Sequence, residues 1–244
     1  MGGTASLPAA APPPFHNTYC EPRLLTGTIY AKDSSLRTVL FQFRRTASCE
    51  GDVVRVVREY TCPDATVAAR EKVVYQANRM VSYELEDLRA AETGRVFNTT
   101  NAAGKAAVRL EFGPTGNPKK TVGQENAQPD TLINDMLPAF LEAHWNELSR
   151  GARVKFRFVA MSRAETVGFT VVKEFETTLG DAAVVRLRME PTSFIIAQLV
   201  DPIFFLVEKE GAHRILQYTG RATPRVKVGN RWKDLDAVSV FDWK

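Results

Sequence analysis

Apolar and polar residues alternate along most of this chain. Val39, Phe41 and Phe43 share one parity, with Gln42 and Arg44 on the other. Val81, Tyr83 and Leu85 alternate with Ser82, Glu84 and Glu86, and Val108, Leu110 and Phe112 with Arg109 and Glu111. The same rhythm returns at Val154, Phe156 and Phe158 against Arg153, Lys155 and Arg157, and at Val185, Leu187 and Met189 against Arg186 and Arg188. A period of two with one apolar face predicts antiparallel strands, core-packed on one side and solvated on the other. Turn residues punctuate them at Asp33-Ser34-Ser35, Glu50-Gly51-Asp52, Asn78-Arg79, Gly113–Pro118, Leu179-Gly180-Asp181 and Glu210-Gly211. The spacing predicts about eleven or twelve strands, joined mostly as hairpins.

One segment changes period. Between Asp130 and Arg150, Ile133, Leu137, Phe140, Leu141, His144 and Leu148 recur at helical spacing, and Gly151 supplies a stop. Pro138 falls in the first helical turn if Asp135 is the N-cap. A second apolar run, Ser193–Val200, reads as a short helix over the mouth of the sheet, before a strand at Ile203–Glu208. The fold expected is mainly β (α+β). A long curved antiparallel sheet, an unclosed barrel, wraps around one main helix at about 130–150, with a short apolar helix at about 193–200. Residues 1–19, rich in Ala and Pro, are expected to be a disordered arm, and residues 20–244 a single β-rich half-barrel domain. The alternative is a division into two domains near Asn126–Asp130.

The segment Leu132–Gly151, the strand that follows, Glu165-Thr166-Val167-Gly168-Phe169 and Arg214-Ile215-Leu216-Gln217-Tyr218-Thr219-Gly220 resemble uncharacterised bacterial envelope proteins. Their sheets are similar to that of the periplasmic lipoprotein carrier and its relatives. The resemblance covers mainly residues 132–220. It implies an unclosed barrel holding helices in its concavity, with an apolar cavity for acyl chains. No catalytic motif comes with it.

Composition narrows the picture. With 44% hydrophobic residues the 244-residue chain can form a real core, which excludes disorder over most of its length. No stretch reaches the ~20 apolar residues needed to span a bilayer. The net charge of +4 comes from 32 basic and 28 acidic residues. Arg55, Arg58, Arg153, Arg157, Arg186 and Arg188 could form a basic sheet face. Glu59, Glu71, Glu84, Glu86, Glu174, Glu176 and Glu190 take the same kind of position, so a mixed-sign solvated face is expected and no nucleic-acid partner.

Candidate chemistry is sparse. Cys20, Cys49 and Cys62 include no CxxC pair, and His16, His144 and His213 form no ligand-spaced cluster, so neither a metal nor a cofactor is expected. In a hairpin turning at Asp33-Ser34-Ser35, paired residues have numbers summing to about 68. That places Cys20 near Cys49 and makes them a disulfide candidate, with Cys62 at the opposite end of the sheet. Three free thiols are the alternative. Glu165 beside Arg163, and Asp201 before Pro202, could hold a ligand head group, or could form outward ion pairs. The aromatic side chains are expected to point inward. Phe41, Phe43, Trp145, Phe156, Phe158, Phe169, Phe194 and Ile196 are the candidate lining of a ligand cavity, with Phe194–Val200 as its lid.

The function expected is non-enzymatic binding of a hydrophobic or lipid-like ligand, by a periplasmic or otherwise exported protein whose signal has been removed; a cytoplasmic location is the alternative. An envelope protein–protein interaction module using a sheet edge is the second reading, and an enzyme without a linear motif the third.

Overall fold

The computed structural model describes residues 17–197 and 201–243. Eight strands come first: β1 (Leu24–Ala31), β2 (Val39–Glu50), β3 (Val53–Thr61), β4 (Val67–Gln76), β5 (Arg79–Asp87), β6 (Glu92–Thr100), β7 (Ala106–Pro114) and β8 (Thr121–Asn126). A two-residue strand, β9 (Thr131–Leu132), leads through a 3-10 turn at Asn134–Met136 into α1 (Leu137–Ala143) and α2 (Trp145–Ser149). The chain continues through β10 (Val154–Ala160), β11 (Glu165–Leu179), β12 (Ala182–Pro191) and α3 (Phe194–Ala197). It finishes with β13 (Ile203–Glu208), β14 (Ile215–Val228) and β15 (Arg231–Asp242).

All fifteen of these strands belong to one sheet, in the order β8-β7-β6-β5-β4-β3-β2-β1-β15-β14-β13-β12-β11-β10-β9. The first and last strands therefore pair in the middle, and β8 and β9 form the two ends. Every pairing is antiparallel except that of β9 with β10. The sheet is the long curved, unclosed one that the alternation predicts. It has more strands than the turn count implies, in part because β8 and β9, of six and two residues, are too short to show a period.

The two ends of the sheet meet without a ladder. The Glu125 carboxylate on β8 accepts the Thr166 backbone N–H at 2.7 Å, the Thr166 hydroxyl, and an Arg157 N–H at 3.4 Å. Gly123 permits this approach, since a Cβ there would lie 1.8 Å from the Ala164 carbonyl oxygen.

The helical segment is shorter and more broken than its stripe suggests. Residues 131–132 pair with Arg157 and Phe158 instead, and the Arg157 N–H donates to the Asp130 carbonyl at 2.9 Å, so sheet pairing takes the start of the stripe. His144, at φ −101° and ψ 12°, separates α1 from α2. Pro138 does fall in the first turn of α1, but Asp135 makes no capping bond; its carboxylate is engaged elsewhere. Gly151, at φ +84°, ends the segment in the left-handed region. The stripe is buried as expected, with Ile133, Leu137, Leu141 and Leu148 packed in the main core. Of the expected run, Phe194–Ala197 form the short helix α3, and residues 198–200 lie outside the described residues.

Cys20 and Cys49 form a disulfide, with Cα atoms 6.0 Å apart, and Cys62 is free. The register behind it holds to within two residues, Leu24 pairing with Thr46 and Ile29 with Phe41. Thiol counting under denaturing, non-reducing conditions should find one free thiol per chain. Reduction should lower stability by about 3.6 kcal/mol, the scale expected for a cross-link spanning some thirty residues, read as a shift in urea midpoint. Residues 1–16, including His16, lie outside the described residues. Of residues 17–19, assigned to the arm from sequence, Tyr19 is held against the sheet, stacking on Tyr75 with ring centroids 4.0 Å apart.

Candidate functional site

A row of charged residues crosses the inner face of the sheet. On β2, Phe41, Phe43 and Arg45 have one parity and are all buried; β3 carries Val54, Val56, Arg58 and Tyr60 inward, and β4 carries Ala69, Glu71, Val73 and Tyr75. Arg45 pairs with Arg58 in the strand register, and Arg58 with Glu71. The row divides the apolar interior. Val54, Val56, Val73 and Tyr75 lie in one core cluster, while Phe41, Phe43, Tyr60 and Ala69 lie in the other. Arg58 and Glu71 thus do not belong to the solvated mixed-sign face expected from sequence: Glu71 is 0% exposed.

Burying charge is tolerated only when each group finds partners. Asp135, delivered by the turn before α1, accepts Arg45 Nε at 2.7 Å, Arg45 Nη2 at 3.2 Å and the Tyr75 hydroxyl at 2.9 Å. Arg45 also donates to the carbonyls of Tyr19 and Pro22, fastening the N-terminal segment to the sheet. Glu71 accepts Arg58 Nη1 at 2.5 Å, the Tyr60 hydroxyl at 3.3 Å, the Tyr83 hydroxyl at 3.0 Å and the Thr223 hydroxyl at 2.6 Å. Burial alone would raise the Asp135 carboxyl, but the charge and hydrogen bonds of Arg45, with Arg58 and Tyr75, hold it below the ordinary carboxylate value. Burial pushes the Tyr75 and Tyr83 phenols well up, with the charges of Asp135 and Glu71 adding to it. Each of these three groups is therefore fixed in its ordinary protonation state at neutral pH.

Beside this row is a cavity of about 100 Å³. Its apolar wall includes Leu25, Ile29 and Phe43 with Phe205, Ile215, Phe241 and Trp243; Leu137, Pro138 and Ala139 of α1 cover it. Arg45, Arg58, Tyr60, Asn134 and Asp135 form its polar side, and Thr18 and Glu21, both exposed, belong to its rim. The pairing of β1 with β15 and of β14 with β13 brings these walls together from opposite ends of the sequence.

Of the eight residues singled out from sequence, Phe43 lines this cavity. Phe41 is buried in the second core cluster. Phe156, Phe158 and Phe169 pack on one another in the main core, with Phe140 against Phe156 at 4.9 Å. Trp145 stacks on His213 at 4.1 Å. Ile196 packs against the main core, whereas Phe194 is 78% exposed and covers nothing in the cavity. The two acidic candidates take the outward alternative: Glu165 pairs with Arg163, and Asp201 with Lys32 at 2.8 Å. His144 contacts Glu147 at 3.4 Å, and no group of three or more His, Cys, Asp or Glu among the described residues could hold a metal ion. Nor is any helix among them long and apolar enough to cross a membrane. The outer arginines do meet acids: Arg186 and Arg188 pair with Glu174, and Arg153 with Glu190.

The sequence reading missed Arg45, Asp135 as a binding partner, and Phe241 and Trp243; Phe205 it placed on an inward face without assigning it to the cavity. Parity was the signal for Arg45, which continues the inward set of Phe41 and Phe43.

No family model and no curated protein matches the chain. Among solved structures it is similar to that of a beta-barrel-like protein of domain of unknown function DUF1849 from Brucella abortus, at 10% identity over 90% of this chain and 93% of that one. With a TM-score of 0.38, that likeness leaves the fold to rest on this chain's own strands and register.

Proposed function

We propose that this protein binds a hydrophobic or lipid-like ligand, without transforming it, in the cavity beside the charged row, and that it does so in the bacterial cell envelope. The observation that carries the reading is the lining: aromatic and aliphatic side chains on one side, a few placed polar groups on the other, the composition of a site that orients an amphiphile. At about 100 Å³ the cavity falls below the ~300 Å³ at which sites begin to enclose a whole drug-sized molecule. It therefore receives one end of the ligand, and the remainder leaves past the rim. The resemblance to the lipoprotein carrier's half-barrel agrees with this use of a concave sheet.

Binding without chemistry is supported by the state of the acids. A general base or acid works best with an acidity near the operating pH. Here Asp135 is held low, Tyr75 and Tyr83 are held high, and Glu71 is occupied by four donors. The disulfide is in keeping with an oxidising compartment. Use of a sheet edge for partner binding is less favoured, because the Glu125–Thr166 contacts cover the side of β8 that would receive a new strand.

Native mass spectrometry of protein purified without detergent tests the proposal. An adduct of one small amphiphile, lost from an Ala139→Phe variant that fills the cavity, is the expected result. An unliganded mass in the wild type, unchanged after incubation with C6 to C12 amphiphiles, would sink it.

A further inference from the structure

Donor capacity in the charged row is unevenly used. An arginine side chain carries five N–H donors and no acceptor. Arg45 directs four hydrogen bonds to Asp135, Tyr19 and Pro22. Arg58 has one, from Nη1 to Glu71. Its Nε is 3.9 Å from the nearest oxygen of Asp135, beyond hydrogen-bond reach, and its Nη2 meets no acceptor among the described residues. Arg58 lines the cavity and stands over the rings of Phe43 at 5.2 Å and Tyr60 at 5.9 Å. The carboxylates around it are already engaged, Asp135 by Arg45 and Tyr75 and Glu71 by three hydroxyls besides Arg58 itself. Because Arg58 lines the cavity, its open donors are available to whatever occupies it.

We propose that the cavity takes an amphiphile whose polar end is a carboxylate, received by Arg58 through the N–H groups that the row leaves open. The inference deepens the ligand-binding reading and rests on it. A guanidinium matches a carboxylate in shape and charge, and charge-assisted hydrogen bonds are roughly twice as strong as neutral ones. The apolar walls then take the first carbons of the tail, against the ring of Phe43.

The test is isothermal titration of the full chain with octanoate, octan-1-ol and methyl octanoate, all below their aggregation limits. Octanoate should bind about tenfold more tightly than the two uncharged ligands. That preference should fall to near parity in the Arg58→Met/Glu71→Gln variant, which removes both charges of the pair together. Equal affinity for all three ligands in the wild type would overturn the carboxylate assignment while leaving the apolar cavity reading intact. Absence of binding by any of them would overturn both. Should the double variant fail to fold by circular dichroism, the wild-type ratio decides.

Discussion

Replacing Asp135 by Ala should lower the unfolding free energy by about 3–5 kcal/mol, the range seen when one partner of a buried ion pair is removed. The reason lies with what is left behind. Arg45 is 5% exposed and cannot release its proton, so its charge would remain in the interior with two carbonyls as its only acceptors. The Tyr75 hydroxyl would lose its acceptor as well. Urea titration should show this as a large fall in midpoint with little change in slope. The double variant Arg45→Met/Asp135→Leu should recover a large part of the loss, because apolar groups of similar size remove the stranded charge. If the double variant is as unstable as the single one, attachment of the N-terminal segment through Arg45 is the larger contribution.

The same pair predicts a pH dependence. The Asp135 carboxyl is below its ordinary value of 3.8 in the folded state. Its contribution is thus complete above about pH 5 and is lost as pH falls through 3.8 toward the folded value, where the unfolded chain binds the proton first. Wild-type stability should decline more steeply between pH 5 and 2 than that of Asp135→Ala. Parallel profiles would remove Asp135 from the acid response.

Glu71→Ala is expected to be at least as damaging, again about 3–5 kcal/mol. Four donors converge on one fully buried carboxylate, and truncation leaves the Arg58 charge and three hydroxyls without it. Glu71→Gln keeps the shape but turns an N–H₂ toward groups that donate, so it should not restore stability to wild type. Arg58→Met alone should be milder, since Glu71 keeps Tyr60, Tyr83 and Thr223. A double-mutant cycle between positions 58 and 71 should return a coupling of about 0.5–3 kcal/mol. A coupling near zero would mean that the hydroxyls alone hold Glu71.

Much of this fold could be read from spacing because its elements are local. Hairpin order follows from turns such as Glu50-Gly51-Asp52, where β2 and β3 pair Glu50 with Val53. The Cys20–Cys49 bond followed from the register of one hairpin. Parity also carried more than was taken from it. Arg58 has the parity of Val54 and Val56, and Glu71 that of Val73 and Tyr75, yet charge alone suggested the solvated side for both. Strand charges usually are solvated, and their burial here depends on partners that periodicity does not show. Asp135 meets Arg45 across ninety residues, and Thr223 meets Glu71 across 152. The cavity walls were hidden for a similar reason. Phe241 reaches Phe43 only because the first and last strands pair, with ring centroids 5.6 Å apart, and no hairpin rule predicts a pairing of chain ends. Alternation marked Phe156, Phe158 and Phe169 as inward, and they are; they fill the interior between sheet and helices instead of lining the cavity.

The account stands most directly on where an amphiphile sits. Crystals of the protein grown with 8-bromooctanoate would locate both ends of the ligand, the bromine by anomalous scattering. The carboxylate should lie within hydrogen-bond distance of Arg58, with the chain against Phe43, Phe205 and Phe241 and the bromine toward the rim at Thr18 and Glu21. A saturating soak that leaves the cavity without ligand density, or places the bromine elsewhere on the sheet, would contradict it.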